Sequence, residues 1–301
     1  MTAPSGPATS VVVISYQMSR VLPRTILSLC PPYQAPVPGG LEIIVVDNGS
    51  AVLPDAADLA ADTPVRVVRA PERSPSPVGA INHGLSLATG AVIGVWIDGA
   101  RLASPGLVAA CTAVCTADPG AVAATPNYHL GHAPQYDPAA AGYSEAEEDA
   151  LLASIDWPRG DGYRLFDIAA PAGLSGAGSA MLETNALFMA RPLWDTLGGY
   201  EPRFSSPGGG AANPDIFLRA LARPETTLTL VKGEATFHQI HGGVTSNAAD
   251  VVSEMKAMSV EYWRVRGKGL VGWRGDAVLY DPATGTVAPH RVGHGQPLAR
   301  R

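Results

Sequence analysis

Residues 91–101 read AVIGVWIDGAR, an apolar run of strand-forming residues that stops on a single acid, Asp98, followed at once by Gly99. A buried strand that carries one carboxylate into the loop at its C-terminal end is where open α/β sheets place their ligands. Two other runs share the shape. SVVVISY (10–16) ends in Ser15 and Tyr16, and EIIVVDNGS (42–50) ends in Asp47 and Asn48 before a Gly-Ser turn. Three such ends side by side make a polar rim on an apolar floor.

Around these runs the chain alternates strand and helix up to Leu130. Arg20–Cys30 reads as a helix, with Pro23 near its start and Pro31-Pro32 closing it. A short helix is expected over Asp55–Ala61, a third strand over Val65–Arg69, and a helix over Val78–Ala88 with Gly90 as its C′ residue. A helix from Pro105 to about Thr116 and a strand around Ala121–Thr125 follow the opening run. Near-continuous apolar strands separated by helices predict an α/β fold, a mostly parallel central sheet with helices on both faces.

From His129 to Ala180 the rhythm breaks. Ser144-Glu145-Ala146-Glu147 has the form of a capping box opening a helix toward Ile155. Tyr136, Tyr143, Trp157 and Tyr163 lie around it; they stack on a sugar or cover a core edge, and aromatic rings do either. The glycine run 173–178 is no phosphate-binding loop, since no Gly-Lys-Ser/Thr follows it. Ala186–Ala190 is apolar, Pro192–Leu197 reads as a short helix, and Asn213–Ala222 as another with Pro214 and Asp215 in its first turn. Thr227–Val231 and Ala235–His238 look like a strand pair. Asn247 is placed to cap a helix to about Arg266, with Val251, Met255, Met258, Tyr262 and Val265 on a core face. Residues 267–301 read as a tail lying on the body or partly loose.

Composition narrows the partners. The 301 residues suffice for a full core, 46% are apolar and 16% charged, and the formal net charge is −6. No cluster of Lys or Arg marks a nucleic-acid or membrane surface. No run approaches the ~20 apolar residues of a membrane span, and MTAPSGPATS lacks the regions of a signal peptide. Cys30, Cys111 and Cys115 are odd in number and read as small buried hydrophobes, which suits a reducing cytoplasm.

The order SVVVISY, EIIVVDNGS, INHGLSLATG and WIDGAR resembles the N-terminal half of inverting glycosyltransferases of the GT-A fold, in the large family 2 grouping. ALFMARPLWDTLGGYEPRF, a loop and NPDIFLRAL resemble that family's acceptor-side segment, and HQIHGGVTS its late histidine segment. The resemblance covers roughly residues 10–246. It implies a Rossmann-like GT-A domain over 1–266: a donor half over about 9–128, an insertion over about 129–180, an acceptor-side half over about 181–246 with a short antiparallel element, and a helix over about 247–266, with 267–301 as the tail. It implies transfer of a sugar from a nucleotide-diphosphate sugar, UDP favoured, to a hydroxyl of a glycan or small molecule, with inversion and with Mn²⁺ or Mg²⁺. A homo-oligomer stays open.

Site residues follow from the same resemblance. Asp47 is expected to accept from the base's ring N–H with Ser15 and Tyr16 beside it, although Asp47-Asn48-Gly49-Ser50 also suits a plain tight turn. Asn82 matches a position near the donor, with Ile81 where a basic residue is usual; a bond to nearby backbone explains it as well. The family's metal-holding Asp-x-Asp reads Asp98-Gly99-Ala100 here, so the second acid is missing. Either Asp98 shares a hard cation with His238 or His241 and the phosphates, or Arg101 replaces part of the metal's charge. The family's acidic pair falls on Ala212 and Asn213, which leaves Asp215 as the expected base for the acceptor hydroxyl and Glu183 in reserve. Asp215 is also placed to serve the helix dipole alone. The missing acids keep open a protein that binds nucleotide-sugar or glycan without transfer. An NAD enzyme would need a G-x-G-x-x-G after the first strand, and none is there.

Overall fold

The computed structural model of the protein describes residues 8–59, 63–172, 180–241 and 251–293. Valine and isoleucine, stiff at χ1 and suited to a pleated surface, build its centre. β1 (Thr9–Ser15) is buried along its whole length. After α1 (Leu22–Leu29), with a proline in its first turn, β2 (Leu41–Asp47) pairs parallel to β1 and β3 (Val65–Arg69) pairs parallel to β2. α2 (Val78–Leu87) leads to β4 (Val92–Trp96) on the other side of β1, with Val12 opposite Val95. Side chains alternate across this sheet. Val12 and Ile14 join the core under α2, while Val11 and Val13 join the core under α1, so both faces are covered.

The chain turns after Trp96 into β5 (Arg101–Ala103), then passes through α3 (Leu107–Ala117), β6 (Ala121–Ala124) and β7 (Asn127–Leu130). The insertion contributes α4 (Glu145–Ser154) and β8 (Ala169–Pro171). Its capping box forms, with Ser144 N donating to Glu147 Oε2 at 2.9 Å and Glu147 N to Ser144 Oγ at 3.3 Å. β9 (Ala186–Ala190) and α5 (Arg191–Leu197) precede α6 (Ala212–Leu221) and β10 (Thr227–Val231). β11 (Thr236–His238), α7 (Val251–Arg266), β12 (Gly275–Asp281) and β13 (Thr286–Val292) follow.

Among the described residues the large sheet has the order β13-β12-β10-β6-β9-β4-β1-β2-β3, and a smaller one β5-β11-β7-β8. β9 runs antiparallel to both β4 and β6, so its first residue sits at the end where β4 finishes, Ala186 opposite Trp96. Gly94 faces Phe188 in that pairing, and a Cβ at Gly94 would come within 2.4 Å of the Phe188 ring. The glycine inside the apolar run is therefore the space that lets an antiparallel strand pack there.

Several expectations are corrected. Thr227–Val231 and Thr236–His238 are strands but do not pair: Gly233, at φ 77°, turns the chain out of the large sheet and into the small one. Beyond Gly267, β12 and β13 form a hairpin that extends the large sheet, Val278 opposite Thr229. Its alternation buries Ala277 and Val292 against the core, which a Gly- and Pro-rich composition conceals. Gly90 is no left-handed cap. α2 ends on extended Ala88, and a Cβ at Gly90 would lie 2.5 Å from the Ser10 backbone nitrogen. Near Asp55–Ala61 there is one 3-10 turn, Ala56–Asp58. On α7, Tyr262 is buried and Met258 and Val265 pack on the core, but Met255 is exposed. The expected cap Asn247 and the glycine run 173–178 lie outside the described residues.

A third core lies under the small sheet, where Leu102, Leu152, Leu165 and Phe237 meet Tyr143 and Trp157. Of the insertion's aromatics, those two cover a core edge, and Tyr163 donates to Glu234 Oε1 at 2.8 Å. The three cysteines are buried and unpaired. No helix among the described residues is long and apolar enough to cross a membrane.

Candidate functional site

Asp98 stands in the turn between β4 and β5. Trp96, fully buried, closes that turn by donating its indole N–H to Arg101 O at 3.0 Å. Gly99 N donates to Ile14 O at 2.7 Å, and a Cβ on Gly99 would lie 2.9 Å from that oxygen, so the turn is pressed onto the end of β1. Asp98 Oδ1 accepts from Ala100 N at 2.9 Å. Its Oδ2 faces the small sheet, whose register sets Arg101, His238 and His129 in a row on β5, β11 and β7.

The result is a convergence of three ligand atoms. His238 Nε2 lies 3.1 Å from Asp98 Oδ2 and 3.1 Å from His241 Nε2, which is itself 3.5 Å from Asp98 Oδ2. His238 Nδ1 meets Gln135 Oε1 at 2.7 Å. That oxygen only accepts, so Nδ1 carries the proton and Nε2 of the neutral ring presents its lone pair to Asp98 and His241. Ligands about 2.0–2.2 Å from a shared ion lie about 3.0–3.4 Å apart when adjacent. The observed spacings therefore fit one divalent cation with positions left for other oxygens. Two nitrogens and one carboxylate favour Mn²⁺ over the harder Mg²⁺.

Electrostatics agree with this donor set. Burial works against the charge of Asp98, but the charge of the neighbouring His241 leads the effects that hold its carboxyl well below the usual range. Burial, then the charge of Arg101, lowers His238 to about 4, so the ring is neutral and able to ligate at ordinary pH. Burial and His238 push His129 down to about 2; its ring lies 4.9 Å from that of His238, and its Nδ1 accepts from Gln135 N at 3.0 Å.

Arg101 adds a fixed cation. It is 9% exposed, and Nη1 donates to Asn127 Oδ1 at 2.7 Å. Its Nε has no hydrogen-bond partner among the described residues and lies 3.7 Å from Asp98 Oδ2. Burial lowers its pKa, with Asp98 and Glu183 opposing that effect.

Along the same rim, Ser15 and Asp47 end β1 and β2 in register. Asp47 is fully buried; its Oδ2 accepts from Gly49 N at 3.1 Å and Ser50 N at 3.0 Å, while Oδ1 has no partner among the described residues. The turn forms, and one acceptor is left over. Ser15 Oγ is likewise unpartnered there. Tyr16 is exposed, and Arg73 donates to its hydroxyl at 3.4 Å. A cleft of about 340 Å³ opens alongside, lined by Gln17, Ser50, Arg69, Pro71 and Arg73 among others.

Two expected site residues are placed elsewhere. Asn82 makes the backbone bond that is its alternative reading: its amide accepts from Tyr200 N and donates to Tyr200 O, both at 2.8 Å, pinning α2 to the turn after α5. Asp215 is the other. Fully buried, it holds Arg219 Nε at 2.8 Å and Arg266 through two bonds of 2.6 and 2.7 Å, which joins α6 to α7. The reserve acid Glu183 is half-buried at the rim before β9, its Oε2 accepting from Asn213 Nδ2 at 2.8 Å. His129 and Gln135 go unmarked in the sequence, since only the pairing of β7 with β11 brings them beside His238.

Residues 10–149 match the family model described as glycosyl transferase family 2. No curated protein matches the chain in sequence. Among solved structures it is similar to S. aureus TarS 1–349 in complex with UDP-GlcNAc, at 14% identity and TM-score 0.54 over 85% of this chain and 66% of that one. It is also similar to GalNAc-T7 with UDP, GalNAc and Mn²⁺, at 15% identity and TM-score 0.53 over 85% of this chain and 48% of that one. The chain thus spans less than two thirds of either solved chain, and at such identities the likeness is one of fold. The family match spans the strands that carry Ser15, Asp47 and Asp98, and the large, mostly parallel sheet beside a smaller one has the fold of these solved structures.

Proposed function

We propose that the protein moves a sugar from a UDP-sugar to a hydroxyl acceptor with inversion at the anomeric carbon, assisted by a divalent cation. The observation that carries this reading is the meeting of Asp98, His238 and His241 around one point, beside Arg101 and next to the strand ends of Ser15 and Asp47. Solved relatives of this fold that hold UDP-GlcNAc, or UDP with Mn²⁺, support it.

The roles follow from the chemistry each group offers. Asp47 Oδ1, buried and unpartnered among the described residues, accepts the ring N–H of the base; Ser15 and Tyr16 lie beside it. Asp98, His238 and His241 would hold a divalent cation, which would supply positive charge for the departing diphosphate. The Arg101 guanidinium shares that anion, since its planar N–H groups match phosphate oxygens. Gln135 holds the His238 ring in its ligating tautomer. A reducing cytoplasm, which keeps the buried thiols free, belongs to the same reading.

The test is incubation with UDP-, GDP- and dTDP-sugars plus Mn²⁺, measuring nucleotide release, with Asp98→Ala as control. UDP-sugars should bind and release UDP in the wild type and not in the variant. Failure of every nucleotide to bind would overturn the proposal. A second reading, binding without transfer, draws on Ala100 and Asn213 standing where acids are expected; it predicts binding with no release.

A further inference from the structure

We propose that Glu183, held by Asn213, is the base that deprotonates the acceptor, a catalytic residue supplied from the loop before β9 rather than from α6. The proposal rests on the glycosyl-transfer reading above.

Topology puts Glu183 at the right edge. Because β9 runs antiparallel to β4, the segment entering β9 lies at the end where β4 delivers Asp98. Glu183 is three residues ahead of Ala186, and its charge is felt at Arg101, whose Nε lies 3.7 Å from Asp98 Oδ2. It is also only partly buried, which leaves it open to an acceptor hydroxyl.

Asn213 explains how the carboxylate is aimed. Its Nδ2 donates to Glu183 Oε2 at 2.8 Å and to Thr184 O at 3.1 Å, two acceptors that fix the orientation of the amide. Its Oδ1 accepts from Tyr200 OH at 3.1 Å. The side chain is 4% exposed and fully engaged, a rigid donor that occupies one oxygen of Glu183. Oε1 has no partner among the described residues. An amide at this position cannot take a proton, but it can hold a carboxylate that does. Asp215 is unsuited to the task. Both of its oxygens are taken by Arg219 and Arg266, and it is fully buried, out of an acceptor's reach.

In the step, the acceptor oxygen attacks the anomeric carbon from the side opposite the diphosphate while its proton passes to Glu183 Oε1. The bond from the anomeric carbon to the phosphate oxygen breaks, and its electron pair leaves with the diphosphate, whose charge the Arg101 guanidinium meets. Glu183 then returns its proton to solvent.

Glu183→Gln tests this, because the glutamine oxygen still accepts from Asn213 while the side chain no longer takes a proton. Release of UDP from a panel of UDP-sugars with MnCl₂, water or added glycans serving as acceptor, is followed against pH. UDP and Mn²⁺ affinities are measured by titration calorimetry. The variant should bind UDP and Mn²⁺ as the wild type does, release UDP about 10²–10⁴-fold more slowly, and lose the acid limb of the rate profile. Asn213→Ala should slow release with unchanged UDP affinity. Glu183→Gln turnover within threefold of wild type overturns the assignment and leaves the glycosyl-transfer reading standing. A wild type that binds no UDP, or binds a UDP-sugar and releases nothing, overturns that reading and this proposal with it.

Discussion

His238 and His241 aim their Nε2 atoms at each other across 3.1 Å, with Asp98 Oδ2 3.1 and 3.5 Å from the pair. Two ring nitrogens and a carboxylate this close hold together through a shared proton or a shared cation. Mn²⁺ binding to the folded state alone stabilises it in proportion to the logarithm of its concentration over Kd, about 2.7 kcal/mol at a hundredfold excess. The wild-type melting temperature should rise with MnCl₂ and return with EDTA, and Asp98→Ala and His238→Ala should lose the rise. A melting curve that responds equally to Mn²⁺ in His238→Ala would remove that ring from the ligand set.

The pH dependence of the metal-free protein follows from burial. His238 falls to about 4 and His129 to about 2, against an unperturbed 6.5, so both are neutral when folded and take up protons on unfolding. For a lowered histidine, the stability it contributes is complete above the unfolded value and is lost as pH falls toward the folded one. Between pH 6.5 and 4 each should therefore cost as much as about 1.4 kcal/mol per pH unit. Urea denaturation in EDTA at stepped pH should show that slope, and His129→Gln should halve it. Stability that stays flat from pH 7 to pH 4.5 would contradict the neutral pair.

The insertion helix reaches the same site by a second route. Glu148 on α4 is fully buried, accepts from Ile240 N at 2.5 Å through Oε2, and takes Arg20 Nη1 at 3.2 Å on Oε1. It thus fixes the backbone between His238 and His241. Removing one partner of a buried ion pair costs about 3–5 kcal/mol, so Glu148→Ala should lower the unfolding free energy by that order. Glu148→Gln, which still accepts from Ile240, should lose less stability. Both should bind Mn²⁺ more weakly as His241 loosens. Calorimetric titration with MnCl₂ checks this; unchanged Mn²⁺ affinity in a folded Glu148→Ala protein would show that α4 does not position His241.

Much of the fold is legible in the chain because apolar strands and capping signals are local. AVIGVWIDGAR, SVVVISY and EIIVVDNGS become neighbouring strands whose polar ends share a rim, and the Ser144 capping box forms where the spacing predicts it. What stays hidden is pairing across long separations. β11 looks like the partner of β10 because they are close in sequence, yet it lies between β5 and β7, and that pairing brings His129 to His238. The hairpin of β12 and β13 is hidden by its Gly and Pro. Asn82 and Asp215 share one ambiguity: a polar residue at a helix position marked by resemblance can equally satisfy backbone or guanidinium groups brought in from elsewhere. Asn82 holds Tyr200, and Asp215 holds Arg266 from 51 positions away.

The two acids near the acceptor side should separate cleanly in experiment. Asp215 is the counter-charge of Arg219 and Arg266, and Asp215→Asn would leave two guanidiniums facing one neutral amide in a buried setting. The expected loss is about 3–5 kcal/mol, a fall of several degrees in melting temperature, while UDP release per folded molecule stays near wild type. Glu183→Gln should do the reverse, because the half-buried side chain keeps its bond to Asn213 and gives up only its proton affinity. Thermal melts paired with turnover corrected for folded fraction distinguish them. An Asp215→Asn protein that melts with the wild type and fails to turn over would return the role of base to α6.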